Sequence, residues 1–173
     1  MSYFMVDVEA DGPCPAIYSM VSFGAILVRP GLDVTFHGRV RPVSEKFIAA
    51  SLAVSGVSRA ETLNYPEPRS VMADFARWIA AHTVGRAMFI SDNNGFDWQF
   101  INWYFHQFLG QNPFGHSSTN LGSIYKGLVR DMKQNFKHLR QTHHSHHPVE
   151  DARGNAEALL HLRDQLGLQI DLV

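Results

Sequence analysis

The chain has 173 residues, a length that fits one compact domain and is short for two. Hydrophobic residues make up 45% and charged residues 18%, so the sequence predicts a folded protein with a sizeable core rather than a disordered chain. Lysine and arginine number 15 against 16 acidic residues, a balance that excludes the strongly basic surface of many duplex-binding proteins. The single cysteine, Cys14, excludes an intramolecular disulfide framework and a cysteine-rich zinc site. We therefore expect residues 1–173 to form a single domain.

The residues before Asp7 contain neither a basic leader nor a long apolar run. No later segment reaches the roughly 18 consecutive apolar residues that would cross a bilayer. The sequence therefore predicts a cytoplasmic protein that does not associate with membranes.

Three strands open the predicted fold. Residues 3–9 alternate, with Phe4, Val6 and Val8 on one face, as in a strand that packs against a core. An apolar, β-branched run predicts a second strand at about 20–28, and the turn at Pro30-Gly31 leads to a third at about 34–40. The short connections between these strands predict antiparallel pairing.

Helices and a buried strand follow. Helical spacing of apolar residues predicts a helix over about 65–82, and residues 87–90 form a short apolar strand. Further helices are predicted at about 97–109, at 121–140 and from Pro148 to about 166. In the segment 121–140 one face is apolar, through Leu128, Val129, Met132, Phe136 and Leu139. This order of elements predicts an α/β fold around a mixed sheet.

Two acidic residues lie on the first predicted strand. Asp7 and Glu9 are two residues apart, so both side chains project from the same face of the strand. Two adjacent carboxylates near a core are costly unless they have a partner, and a divalent cation supplies one. A salt-bridged or solvent-facing edge strand is the alternative interpretation.

Two further aspartates begin helices. Asp97 follows the strand at 87–90, where a strand end meets a helix start and open α/β sheets place their functional crevice. Asp151 lies in the first turn of the last helix, five residues after His146. Helix capping and interaction with the helix dipole are the structural alternatives for such residues. A histidine beside a metal-bound water is suited to act as a general base.

Three segments carry a family resemblance. The sequences DVE at 7–9, NNGFD at 93–97 and HHPVED at 146–151 resemble, in order and spacing, the three blocks of the DnaQ-like 3′-5′ exonucleases of the DEDDh branch. Residues 54–57, VSGV, resemble the turn that this family often has after its third strand. The short length, together with DGP at 11–13 and DARGNA at 151–156, looks most like the small bacterial and phage exoribonucleases that include ribonuclease AS.

The resemblance implies a ribonuclease H-like fold, a five-stranded mixed sheet with three antiparallel strands first, and two Mg²⁺ or Mn²⁺ ions. Asp7, Glu9 and Asp151 would bind the first ion, with Asp7 bridging to a second ion that Asp97 supports. His146 would deprotonate the attacking water, and the 3′-terminal nucleotide would leave as a 5′-monophosphate. Single-stranded RNA 3′ ends are the substrate that the subgroup implies. A proofreading-type DNA exonuclease is one alternative, and a noncatalytic nucleic-acid or metal-binding module is another.

Two departures from the family pattern concern the site. Ala10 stands where a threonine commonly follows the first glutamate, which removes one expected nucleotide contact. His147 competes with His146 for the role of base, but it precedes Pro148, which favours an extended backbone. The spacing to Asp151 favours His146.

Softer features suggest where substrate binds. Basic residues at helical spacing predict a continuous stripe that contacts phosphates, formed by Lys126, Arg130, Lys133, Lys137 and Arg140. The alternative is an ordinary solvated helix face. Trp98 belongs to an aromatic segment at 96–108 and could stack on a base, while part of that segment could instead form a homodimer interface. Ser19, Met20 and Asn93 are further candidate contacts with the terminal nucleotide.

Overall fold

The computed structural model describes residues 1–172 and contains one five-stranded sheet with helices packed on both faces. The strands are β1 (Ser2–Ala10), β2 (Met20–Leu27), β3 (Thr35–Arg39), β4 (Ala87–Ser91) and β5 (Ser118–Asn120). The helices are α1 (Ala49–Val54), α2 (Arg59–Thr62), α3 (Pro68–Ala81), α4 (Asn94–Leu109), α5 (Leu121–Val129) and α6 (Pro148–Leu166). In this described part of the chain, no helix is both long and apolar enough to span a bilayer.

The sheet has the strand order β3-β2-β1-β4-β5. Strand β1 pairs with β2, and β2 with β3, in antiparallel fashion, whereas β1 with β4 and β4 with β5 are parallel. The predicted mixed sheet and its antiparallel opening are therefore confirmed. Since β1, β4 and β5 run in the same direction, their carboxyl ends meet at one edge of the sheet.

The central strand β1 is buried on both of its faces. Phe4, Val6 and Val8 belong to a core with helices α3 and α4, while Met5 packs into a second core with α5 and α6. The predicted alternation is confirmed, but the second face is covered by helix instead of facing solvent. As a consequence, Asp7 lies on the face that α6 covers.

Helix boundaries follow local signals in most places. Pro148 is the first residue of α6, and Gly167 ends it with a φ of 74°. Helix α3 starts at Pro68 and α4 at Asn94, so each begins about three residues away from the predicted start. The glycine of the VSGV segment, Gly56, has a φ of 70° and forms the turn between α1 and α2.

The predicted long helix over 121–140 is wrong. Helix α5 ends at Val129 because Arg130 adopts the left-handed conformation with a φ of 57°. The carboxylate of Asp131 then accepts the amide of Lys133, a local hydrogen bond that competes with the helical pattern. Met132, predicted for the apolar face, is 77% exposed. A short 3₁₀ helix over Lys137–Leu139 is the only further helical turn before residue 140 among the described residues.

Candidate active site

The candidate site is built around the carboxylates of β1 and α6. Asp7 and Glu9 extend from the same face of β1, and α6 packs over this face. Carboxylate oxygens of Asp7, Glu9 and Asp151 all lie within 4.8 Å of one another. The two acidic sequence segments, which are about 140 residues apart, therefore converge on one point.

A glycine on β2 permits this convergence. Gly24 is paired with Asp7 in the sheet, and a Cβ atom placed on Gly24 would lie 2.3 Å from the carbonyl carbon of Pro148. The backbone of the first turn of α6 therefore rests directly on β2. This close approach brings Asp151 within reach of the two acidic residues of β1.

We expect Gly24→Ala to lower the exonuclease rate by about 10- to 100-fold, since a shift of about 1 Å in a catalytic group has effects of this size. The added methyl group must push away backbone atoms of α6, and Asp151 would move with them. Parallel measurements of rate and of Mn²⁺ affinity check this expectation. Gly127→Ala on α5 is the matched control, because no atom lies within 4 Å of its Cβ position. Equal rates for the two variants would contradict the positioning role of Gly24.

Asp97 reaches the same site from the first turn of α4. Its Oδ1 atom accepts a hydrogen bond of 3.1 Å from the backbone amide of Val8, so the side chain bridges α4 and β1. The preceding Asn93 occupies the N-cap position, and its side chain makes no capping hydrogen bond. The Asp97 carboxylate is therefore directed at β1 from the first turn of α4.

Asp151 has one satisfied and one unsatisfied oxygen. Its Oδ1 atom accepts the amide of Ser145 at 2.9 Å. Its Oδ2 atom is buried and accepts no hydrogen bond within the described chain, although the Nδ1 atom of His144 lies 3.0 Å away. A buried carboxylate oxygen without a hydrogen-bond donor is costly, and a bound cation would satisfy it.

The pKa values of these groups show the cost of clustering negative charge. Burial, together with repulsion from Asp97, Glu9 and Asp151, raises the pKa of Asp7 well above its usual value. Burial and repulsion from Asp151 raise the pKa of Glu9 to about 7, and burial raises that of Asp97 to about 8. A set of hard oxygen ligands with excess negative charge fits Mg²⁺ or Mn²⁺.

The metal-free protein is expected to lose thermal stability as the pH rises from about 5 to about 8. Glu9 and Asp97 retain protons in the folded state up to a pKa of about 7 and about 8, whereas in the unfolded chain both ionise near pH ~4. The unfolded state therefore binds fewer protons in this interval, and raising the pH favours unfolding. Melting temperatures in EDTA across this range check the expectation.

The same scan in Mg²⁺ should show a stabilisation that grows towards the upper end of the range, because the ion binds deprotonated carboxylates. The difference between the two scans also removes the contribution of His37, whose pKa is lowered by burial and by its neighbours His147 and Arg39. An Mg²⁺ effect that is absent, or that shrinks with pH, would contradict the assignment of the carboxylates.

The histidine loop before α6 places two rings differently. His146 has a φ of 59°, and its Nδ1 atom lies 3.9 Å from Oε1 of Glu9. The ring of His147 instead packs against His37 of β3, with centroids 5.0 Å apart. Of the two rivals, His146 is the one directed towards the carboxylates in this structure, with its side chain 45% exposed.

The predicted basic stripe does not form. Lys126 is on α5. Lys133 and Lys137 come after the end of α5, in exposed positions, so they do not share a helix face with Lys126. Arg130 is the left-handed residue that ends α5. The side chain of Arg140 is largely buried, so its predicted place on an exposed basic stripe is wrong.

Arg140 supports the site from behind. Its guanidinium pairs with Asp92 at 2.9 Å, donates to the side chain of Asn155 and lies over the ring of Phe136. Its positive charge also offsets part of the rise in the pKa of Asp7. Sequence reasoning missed this role because Asp92 and Arg140 are 48 residues apart and their pairing is a tertiary contact.

The other predicted substrate contacts have mixed placements. Ser19 and Met20 have no exposed surface: the Ser19 hydroxyl accepts the amides of residues 43 and 44, and Met20 packs in the core. Neither reaches a solvent-accessible nucleotide site in this structure. Trp98 is half-buried, with its ring 5.0 Å from that of Phe89, and Asn93 is exposed beside the start of α4.

Sequence reasoning also missed the role of another buried acid, Asp11. Asp11 follows β1 directly, accepts the amide of Ser19 at 2.6 Å and pairs with Arg59 at 2.7 Å. Arg59 also lies over the ring of Phe47. Burial raises the pKa of Asp11 despite these two partners. The pair ties the end of β1 to the α1–α2 region beside the site.

The sheet order and the carboxylate cluster define the class of protein as one of ribonuclease H-like fold, with an acidic site suited to divalent metal. The exonuclease family model RNase_T matches residues 4–159, and the chain belongs to this family of DnaQ-like 3′-5′ exonucleases. It is 36% identical over 176 residues to the 3′-5′ DNA exonuclease Cap18 of Escherichia coli, an alignment that covers 95% of this chain and 92% of Cap18.

Solved structures share the fold at low sequence identity. Cell-death related nuclease 4 superposes with a TM-score of 0.76 at 14% identity, covering 94% of this chain and 64% of that one. A 3′-exonuclease that recognises the histone mRNA stem-loop gives 0.76 at 15%, covering 97% and 65%. The zinc-bound E. coli ExoI–ssDNA complex gives 0.71 at 15%, covering 96% and 42%. The chain thus spans less than two thirds of each of these proteins, and the likeness to them is one of fold.

Proposed function

We propose that this protein removes nucleotides from the 3′ end of single-stranded DNA, with release of nucleoside 5′-monophosphates. The observation that carries this proposal is the convergence of Asp7, Glu9 and Asp151 to within 4.8 Å, beside the partly exposed ring of His146. Asp97, in the first turn of α4, completes the set through its hydrogen bond from the backbone amide of Val8 in β1. This arrangement combines a cation site with a base that solvent and substrate can reach.

The four carboxylates would hold two Mg²⁺ or Mn²⁺ ions. When bound, a pair of such ions neutralises charge on the attacking and leaving oxygens of a phosphodiester. Asp151 suits this role because its buried Oδ2 atom has no hydrogen-bond partner within residues 1–172. The backbone amides of Val8 and Ser145 each donate to one oxygen of Asp97 and Asp151, and the second oxygen of Asp151 accepts no hydrogen bond from the described residues.

His146 would act on the attacking water. The neutral imidazole accepts a proton as the water oxygen bonds to phosphorus, and the bond between phosphorus and the 3′ oxygen of the preceding nucleotide breaks. That oxygen leaves with the shortened strand and takes up a proton from solvent. In the structure His146 Nδ1 lies 3.9 Å from Oε1 of Glu9, so the ring is on the side of the carboxylates.

The choice of DNA follows from the 36% identity with a DNA exonuclease across nearly the whole chain. RNA is the second candidate, because the DGP segment at 11–13 and the DARGNA segment at 151–156 resemble the small exoribonucleases. The preference for single strands is supported by the balanced charge of 15 basic and 16 acidic residues, which provides no broad basic surface for a duplex.

Matched DNA and RNA oligonucleotides, labelled at the 5′ end and incubated with Mg²⁺, test this proposal. We expect a ladder that shortens from the 3′ end, faster loss of single-stranded DNA than of RNA, and no reaction in EDTA. Equal or faster loss of RNA would overturn the DNA preference and favour the exoribonuclease alternative. Binding of oligonucleotides without hydrolysis under any divalent metal would instead indicate a noncatalytic module.

A further inference from the structure

A second group of metal-ligating side chains lies at the mouth of the carboxylate site. Ligand atoms of His144, His146 and Asp151 all lie within 4.8 Å of one another. The Nδ1 atom of His144 is 3.0 Å from Oδ2 of Asp151, and the two imidazole rings have centroids 4.3 Å apart. The hydrolytic mechanism proposed above assigns His144 no role.

The backbone conformation of the loop brings the rings of His144 and His146 together. Ser145 lies between the two histidines, and its amide donates to Asp151 while its hydroxyl donates to Glu150. The next residue, His146, adopts the left-handed backbone conformation that non-glycine residues rarely take. This turn directs both rings towards α6 instead of to opposite sides of the loop.

One ligand of this cluster, which it shares with the carboxylate site, has an oxygen that lacks a hydrogen-bond partner. The Oδ2 atom of Asp151 is buried, accepts no hydrogen bond from the described residues and faces His144. The two histidine side chains are 47% and 45% exposed, so they can adjust to an ion while Asp151 stays fixed. A bound cation would supply the partner that this oxygen lacks.

The ligand types select the metal. Two imidazole nitrogens, one carboxylate oxygen and one open position match the tetrahedral coordination of Zn²⁺, whereas Mg²⁺ takes oxygen ligands and keeps several waters. We propose that His144, His146 and Asp151 form a Zn²⁺ site that overlaps the hydrolytic site. Since Zn²⁺ there would occupy Asp151 and His146, it would inhibit hydrolysis supported by Mg²⁺. The inhibition rests on the proposed function, but the binding does not.

Calorimetric titration of the metal-free protein with Zn²⁺ tests the binding. We expect His144→Ala to weaken Zn²⁺ binding by about tenfold or more, as the loss of one of three protein ligands should. His143→Ala is the matched control, because this residue is an exposed histidine of the same loop outside the cluster. Equal affinities for the two variants, or no Zn²⁺ binding by the unaltered protein, would overturn the proposal.

Asp7→Asn separates the two metal sites. This variant removes a carboxylate of the hydrolytic cluster and leaves the histidine cluster complete, so we expect it to retain Zn²⁺ binding with less than about a threefold change while Mn²⁺ binding is lost. Loss of Zn²⁺ binding together with Mn²⁺ binding would place both metals on the carboxylates and overturn the proposal.

Inhibition is measured as the Zn²⁺ concentration that halves the Mg²⁺-supported rate, with each variant normalised to its own rate. We expect that concentration to rise by about tenfold or more in His144→Ala and to stay unchanged in His143→Ala. An equal response of both variants would overturn the inhibitory role. If Zn²⁺ binding depends on His144 but no nucleic acid is hydrolysed with any metal, the proposed function fails and the Zn²⁺ site stands.

Discussion

Asp7→Asn should reduce Mg²⁺-dependent exonuclease activity by at least about a thousandfold, which corresponds to a loss of about 4 kcal/mol of transition-state stabilisation. Carboxylate oxygens of Asp7, Glu9 and Asp151 lie within 4.8 Å of one another, and burial together with the charges of the other acids raises the pKa of Asp7. An amide in its place retains the size of the side chain but removes the charge that would bridge two cations. The rate measured with a 5′-labelled oligonucleotide checks the expectation.

The same substitution should stabilise the metal-free protein. Removing one of several mutually repelling buried carboxylates relieves both the repulsion and the cost of burying a charge. The melting temperature in EDTA is therefore expected to rise, while the increase caused by Mg²⁺ disappears. Asp74→Asn, at an exposed position of α3, is the control and should change neither quantity. Retention of activity, or a large fall in stability, would mean that Asp7 has a structural role.

His146→Ala should lower the rate by about 10²- to 10⁴-fold, the usual contribution of a general base. The ring is directed at Glu9, and the backbone of the residue already adopts a left-handed conformation that alanine also disfavours. The hydrogen bonds from Ser145 to Asp151 and Glu150 do not involve the His146 side chain, so the loop should keep its course in the variant. Rates at saturating Mg²⁺, measured together with Mg²⁺ affinity, separate the loss of a base from the loss of a metal ligand.

His147→Ala is the matched comparison, since this neighbouring histidine packs against His37 instead of the carboxylates. We expect its effect to be less than about tenfold, because it removes a packing contact without removing the base. A severe loss in His147→Ala with little effect in His146→Ala would reverse the assignment. Similar losses in both would indicate that the loop acts through its shape.

Much of the fold followed from local patterns that the sequence displays directly. The alternation in β1, the proline that starts α6 and the glycine that ends it are local signals, and the structure has each where it was predicted. The apolar spacing of segment 121–140 predicts one long helix. In the structure the left-handed Arg130 and the local hydrogen bond of Asp131 interrupt that helix. Strand β5, with the sequence STN, has three residues and no apolar pattern to reveal it.

The candidate site divides in a similar way. The four acids and the histidine loop stand out because unpaired charges on buried elements need an explanation, and their order in the chain carries the family resemblance. The pairs Asp92–Arg140 and Asp11–Arg59 gave no sequence signal, since each joins residues 48 positions apart. Its spacing predicts Arg140 as part of a basic helical stripe, whereas in the structure its side chain is largely buried and donates to Asn155.

Sequence alone identifies the kinds of chemical group available: acids on a core strand, an acid after a second strand, and an acid with histidines at the start of the last helix. Local pattern and residue chemistry are sufficient for that, because both depend on near neighbours in the chain. Which of these groups meet depends on long-range packing. The absence of a side chain at Gly24 lets α6 rest on β2, and this contact brings Asp151 to Asp7 and Glu9. The arrangement of the histidine loop, which turns His144 and His146 onto Asp151, likewise depends on backbone conformation and on long-range packing.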